Sequence, residues 1–369
     1  MRPAAAYDLI QCDDRELDSL LDEAGELRDR FKGRTVTYSR KVFLPVTNLC
    51  RDRCSYCTFR KDPGDPGAWT MSPGEIDEVL TRGRAQGCKE ALMCLGDKPE
   101  AAFPQYRSTL AEFGYRTTPE YLVRACQLAA DRGFLPHTNA GVLSYEEMSM
   151  LRPVNASLGL MLENVASRFS HRGMPHFSAP DKHPVARLQM LRDAGKLSIA
   201  FTTGILIGIG ETREERIDSL LAIKDLNATY EHIQEVIIQN FRAKPDTPMA
   251  RSEEPEAMEI ARTVAAARLI LGGTMNIQVP PNLNPSDHKL MLRAGINDWG
   301  GISPVTRDYI NPEAAWPHIE TLAETCRASG FVLRERLAIY DDFMNDRFLA
   351  APLRPLALQL RNEITRGAA

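Results

Sequence analysis

Short runs rich in apolar and β-branched residues alternate with helix-length segments along most of the chain, and this alternation restricts the fold more than any other feature. The runs are Lys41 to Val46, Glu90 to Leu95, Phe134 to Asn139, Ala156 to Leu162, Ser198 to Ile207, His232 to Asn240, Thr274 to Val279 and Ile296 to Ile302. Ser72, Ser144 and Thr212 each stand three residues before a glutamate (Glu75, Glu147, Glu215), an order in which two orphan donors of a helix start satisfy each other. Gly87, Gly133, Gly195 and Gly295 fall where helices should stop. Strands joined by helices of this length make parallel βαβ units. Eight of them predict an α/β fold, a closed (β/α)8 barrel of TIM type; a partly open six-stranded barrel is the alternative.

The 369 residues divide accordingly. Residues 1–39 form an N-terminal helical segment, in which Leu17, Leu20, Leu21, Ala24, Leu27 and Phe31 share one face before Gly33 stops the helix. Residues 40–330 form the barrel, with a helix over Pro312 to Gly330, and residues 331–369 are a helical or irregular C-terminal extension. The formal charge of -4 gives no global attraction for nucleic acid or an anionic membrane. No apolar run approaches the ~20 residues that a membrane span needs, and Met1 to Asp14 lacks the pattern of a secretion signal. A cytoplasmic protein with no nucleic-acid or membrane partner is expected.

Cys50, Cys54 and Cys57 crowd into eight positions directly after the first predicted strand, where a barrel places its active-site loops. Thiolates favour zinc or an iron-sulfur cluster. A structural zinc site needs a fourth nearby ligand, yet the next cysteine is Cys88 and the first histidine His137. A 4Fe-4S cluster on three cysteines keeps one iron open, as catalysis requires. Cys12, Cys88, Cys94, Cys126 and Cys326 are scattered and read as small buried hydrophobes.

The spacing Cys50-x3-Cys54-x2-Cys57, with Tyr56 before the last cysteine, resembles the signature loop of the radical S-adenosylmethionine enzymes. The resemblance implies one 4Fe-4S cluster whose open iron takes S-adenosylmethionine, with Tyr56 lining the adenine. Gly204 to Glu211, with Gly208, resembles the segment that packs on adenine. Gly96 and Asp97 stand where the family has a Gly-Gly-Glu-type motif for the methionyl amine. Glu163 resembles a carboxylate that binds the ribose or amine, and Arg168 is placed by the same comparison to meet the carboxylate.

Leu95 to Glu100, His137 to Gly141, Gln239 to Arg242 and Ile296 to Pro304, with Trp299 and Ser303-Pro304, are similar to the first-subunit branch of the FO synthase family. That likeness implies a radical carbon-nitrogen lyase that closes a deazaflavin ring on a hydroxybenzyl-uracil adduct. It implies two partners: a second FO synthase subunit that supplies the adduct, and a low-potential donor such as flavodoxin or ferredoxin. Arg51, Arg53, Arg60 and Lys61 are the basic residues around the loop that such a donor would meet. His137, Asn139, Gln239, Asn240, Asn282, Asn297 and Asp298 lie near strand ends as candidates to read the uracil and its ribityl chain. The alternatives are the second FO synthase subunit, a menaquinone-pathway radical enzyme, or a non-catalytic iron-sulfur electron carrier.

Overall fold

The computed structural model describes residues 3–367, and its strands close into a parallel barrel. The strands are β1 (Thr35–Thr47), β2 (Glu90–Leu95), β3 (Leu135–Asn139), β4 (Ser157–Gly159), β5 (Phe201–Ile207), β6 (Ile233–Asn240), β7 (Ile277–Gln278), β8 (Asp298–Ile302) and β9 (Val332–Arg336). The first eight run in sequential order, and β1 joins the two ends of the sheet. Its C-terminal half pairs with β2 from Lys41↔Glu90 to Thr47↔Leu95, while its N-terminal half pairs with β8 from Thr37↔Asp298 to Arg40↔Ile302. This is the closed (β/α)8 arrangement, not the open six-stranded one.

The capping boxes at Ser72, Ser144 and Thr212 form as the sequence pattern requires. Gly195 does not end its helix, which runs over Pro184–Lys196; a Cβ there would lie 2.6 Å from the Tyr230 Cβ, so close packing is what requires glycine. Strands β4 and β7 are shorter than expected. Before β7 the chain turns at Gly272, and after it Pro280 and Pro281 remove ladder donors.

The N-terminal segment holds two helices, Pro3–Gln11 and Asp14–Lys32, the second begun by an Asp13 capping box with Glu16. It buries Leu17, Leu20, Leu21 and Ala24, but Phe31 stays about half exposed (52%), covering the backbone of Gly273. Strand β1 starts at Thr35, six residues ahead of the expected Lys41. Helix Ile319–Ala328 is shorter than the expected Pro312 to Gly330, and Pro312 and Pro317 lie in the irregular chain before it.

The C-terminal extension contributes a strand that sequence reasoning missed. β9 pairs in parallel with the start of β1, from Thr35↔Val332 to Ser39↔Arg336, and the chain then crosses beneath the barrel. The Ala338 carbonyl accepts hydrogen bonds from Ser157 Oγ (2.7 Å) and Gln234 Nε2 (3.2 Å). The Arg336 guanidinium donates to both carboxylate oxygens of Asp298 (2.7 and 2.9 Å) and to Glu235 (2.8 Å). Asp298 begins β8 and Glu235 is the third residue of β6, so this network seals the N-terminal end of the barrel and leaves the C-terminal mouth as the working end. Among the described residues no helix is long and apolar enough to cross a membrane.

Removing the cation from this buried network strands two carboxylates in a low-dielectric site, a class of change that costs about 3–5 kcal/mol. Arg336→Met is therefore expected to lower the urea midpoint by a corresponding amount, measured by far-UV circular dichroism at pH 7.5.

Candidate active site

The loop after β1 carries the three cysteines and is tied down at close intervals. Arg51 N donates to the Asp97 carbonyl (3.0 Å), Arg53 N to Ser178 (2.8 Å), Ser55 N to Pro175 (2.9 Å) and Cys57 N to Cys54 (3.2 Å). Cys50 is buried, and Cys54 and Cys57 are partly exposed. Burial pushes the Cys50 thiol up to about 12 and raises Cys54 strongly, with Cys50 and Cys57 close enough to add charge repulsion. Three free thiols on one loop, near enough for their charges to repel and with burial opposing bare thiolates, fit a cationic metal centre that compensates their charge. The Asp97 backbone N–H donates to Cys50 Sγ at 3.1 Å, the kind of contact that tunes a cluster from outside its ligands.

Gly96 explains how that contact is reached. A Cβ on it would lie 2.1 Å from the Leu49 carbonyl oxygen and 2.5 Å from the Cys50 Cβ, so only glycine lets the end of β2 approach the cysteine loop. The Asp97 carboxylate accepts the Val142 N–H at 3.2 Å and is pushed up to about 7, first by burial and then by Asp181; Arg187, 3.9 Å away, opposes this. Asp52, Asp97 and Asp181 crowd together, and Arg51 pairs with Asp181.

Glu163 follows β4 in a left-handed backbone conformation (φ 64°), with its N–H on the Gly204 carbonyl (3.1 Å) and its own carbonyl accepting from Leu206 (3.0 Å). Its carboxylate is buried and ion-paired with Lys182. Tyr56 donates to or accepts from His176 Nε2 at 2.9 Å, beside an apolar patch of Phe169, Leu206, Ile209 and Phe241. Gly208 turns at the end of β5 (φ 92°), and its N–H donates to Glu211 (2.7 Å). Arg168 is already engaged: it binds Glu215 through two 2.6 Å hydrogen bonds and the Gly210 carbonyl at 2.7 Å.

The substrate candidates separate into three groups. His137 and Asn139 line a cavity inside the barrel, together with Lys41, Glu90, Glu235 and Arg336. Gln239 and Asn282 line a second cavity toward the mouth, which shares Lys41, Gln278 and Gly301 with the first. Asn240 instead accepts from Asn284 (2.8 Å), and Asn297 and Asp298 sit at the sealed base. Asn297 accepts from Arg268 (2.7 Å) and Asp298 from Arg336, at the start of β8, the end of the strand away from the mouth. Sequence reasoning missed Lys182, Arg187, His176 and Lys41, whose positions depend on the fold and carry no spacing signal.

Around the loop, Arg51 pairs with Asp181, and Arg53 and Arg60 with Asp62.

Two outcomes follow from this geometry. Gly96→Ala should keep its far-UV circular dichroism and lose most of its iron after anaerobic reconstitution, read by iron and sulfide assay. Burial holds His137 down at about 4, opposed by attraction to Glu90 and assisted by repulsion from Lys41 and Arg336. Its unfolded value is about 6.5, so between these the unfolded chain binds a proton that the folded chain does not. Stability is therefore full above about pH 6.5 and falls as pH drops toward 4. His137→Gln should flatten that part of the melting-temperature profile.

Residues 44–223 match the model of the radical SAM superfamily. The chain is 49% identical over 310 residues to the 7,8-didemethyl-8-hydroxy-5-deazariboflavin synthase of Methanopyrus kandleri, covering 84% of this chain and 92% of that protein. It is 47% identical over 361 residues to the FO synthase of Streptomyces coelicolor, covering 94% of this chain but 42% of that protein, so the chain spans about two fifths of that relative. Methylornithine synthase, at 17% identity, shares the fold over 90% of this chain and 94% of its own, with a TM-score of 0.71. The chain belongs to the 7,8-didemethyl-8-hydroxy-5-deazariboflavin (FO) synthase family of radical SAM proteins.

Proposed function

We infer that this protein closes the central ring of a deazaflavin. It would convert 5-amino-5-(4-hydroxybenzyl)-6-(D-ribitylimino)-5,6-dihydrouracil into 7,8-didemethyl-8-hydroxy-5-deazariboflavin with release of ammonia, as a carbon-nitrogen lyase. The observation that carries this reading is the three-cysteine loop over a polar barrel cavity, in a chain nearly half identical to deazaflavin synthases over most of its length.

Cys50, Cys54 and Cys57 would hold a 4Fe-4S cluster. With S-adenosylmethionine bound, the pair supplies a 5′-deoxyadenosyl radical that takes a hydrogen atom from the substrate. The patch formed by Tyr56, Phe169, Leu206 and Ile209 supports packing on a flat adenine, and Glu163, held by Lys182, supports a contact to ribose or amine. Gly96 sets the distance between β2 and the cluster loop. Arg168 would reach the methionyl carboxylate only by leaving Glu215. The sealed base keeps water from entering behind the substrate.

A low-potential reductant such as flavodoxin or ferredoxin and a second radical enzyme that joins tyrosine to the diaminouracil complete the scheme. A pocket fitted to the joined adduct gains affinity by holding both halves in one orientation, whereas separate precursors each lose their own translational freedom.

Reconstituted protein with S-adenosylmethionine and reductant is expected to form FO from the adduct and none from tyrosine plus the diaminouracil, followed by deazaflavin fluorescence and mass spectrometry. Cys54→Ala should abolish the reaction. FO from the two simple precursors would contradict the division of labour, and no product from authentic adduct would contradict the assignment.

A further inference from the structure

Two consecutive glycines in β8 open space that polar side chains fill. Between Thr37↔Asp298 and Ser39↔Gly301, two residues of β1 span three of β8, a bulge that puts Gly300 at φ 72°. A Cβ on Gly300 would lie 2.1 Å from the Gln278 amide nitrogen, and one on Gly301 2.3 Å from Lys41 Cδ. Gly300 and Gly301 therefore leave room for Gln278 and Lys41 to reach into the barrel.

Lys41 is an unusual occupant of that space. It is 8% exposed, and its Nζ lies 4.9 Å from the Trp316 ring centre and 5.5 Å from that of Phe43. Among the described residues the lysine ion pairs are made with Glu335, Glu147, Glu163 and Asp193, and Lys41 takes no part in any of them. Two residues that line this cavity each carry a buried polar atom with no partner: the Asn282 side-chain oxygen and the Trp316 indole nitrogen. The other end of the Asn282 amide is fixed, donating to Asp308 (2.9 Å) and the Ala314 carbonyl (3.2 Å), so its oxygen is held as a free acceptor.

One buried acceptor and two donors between aromatic faces describe a flat ring that carries an N–H flanked by carbonyl groups. We propose that this cavity binds the pyrimidinedione half of the substrate, with Asn282 accepting from the ring imide and Lys41 and Trp316 donating to its carbonyl oxygens. A phenol offers a single hydroxyl and would leave at least one of these groups unsatisfied. The hydroxybenzyl half then lies outside this cavity. The inference rests on the function proposed above and assigns Lys41, Asn282 and Gly301 to specificity within it.

The test is calorimetric titration of the cluster-loaded protein with a 6-ribitylaminouracil carrying an unreactive 5-nitro group, and separately with 4-cresol. Lys41→Met, Asn282→Ala and Gly301→Ala, the last through displacement of Lys41, should each weaken the uracil by about tenfold or more, the loss expected for a buried hydrogen bond to a charged or unsatisfied group. Cresol binding should not change. Iron content and melting temperature, read in parallel, identify a variant that fails to fold; Asn282→Ala lies far along the chain from the cysteine loop and keeps the test available. Uracil affinity equal to wild type in folded variants overturns the proposal, as does a loss confined to cresol, which would place the halves the other way round. Wild-type protein that forms FO while the variants bind the uracil normally removes only this inference; wild-type protein that neither binds the uracil nor forms FO removes the function beneath it.

Discussion

Strand β1 is hydrogen-bonded along both edges, and the rest of the molecule is arranged around that double pairing. Its second half meets β2 and its first half meets β8, so one continuous thirteen-residue strand closes the barrel. The cysteine loop hangs from its C-terminal end. Its N-terminal end receives β9, which delivers Arg336 to the carboxylates at the opposite opening. Disturbing β1 thus moves the cysteine loop and the seal together, which is why both ends are fastened by backbone contacts as well as by side chains.

The charges are divided between the two ends. At the base, Arg336 is balanced by Glu235 and Asp298. Near the mouth, Lys182 is matched by Glu163 and Arg51 by Asp181, close to thiols that burial keeps from ionising on their own. The cavity between carries a lysine with no carboxylate partner and two unsatisfied polar atoms. Buried polar groups left open in this way are costly unless a ligand completes them.

Much of this was legible in the sequence because its physics is local. Capping boxes at Ser72, Ser144 and Thr212 depend on residues three apart, and the cysteine loop on residues within seven of one another, so both are visible without a fold. What failed was direction and distance. Asn297 and Asp298 lie near the start of the expected strand Ile296 to Ile302, and the start of a barrel strand faces the sealed base, not the mouth where a substrate would be read. β9 was hidden because Val332 to Arg336 is short and partly exposed, and only its pairing with β1 makes it a strand. Arg168 carried the right charge, but Glu215, distant in sequence, claims it. Lys41 sits inside a predicted strand where an isolated charge reads as a solvent-facing residue, and its inward placement depends on glycines some 260 positions away.

The central claim is that three cysteines of one loop hold a cluster with a single iron open to S-adenosylmethionine. Electron paramagnetic resonance of the dithionite-reduced, reconstituted protein tests it directly. The account requires one reduced 4Fe-4S signal per chain whose g-values shift when S-adenosylmethionine is added. A signal unchanged by S-adenosylmethionine, or one that survives in Cys57→Ala with the same shape, would contradict it.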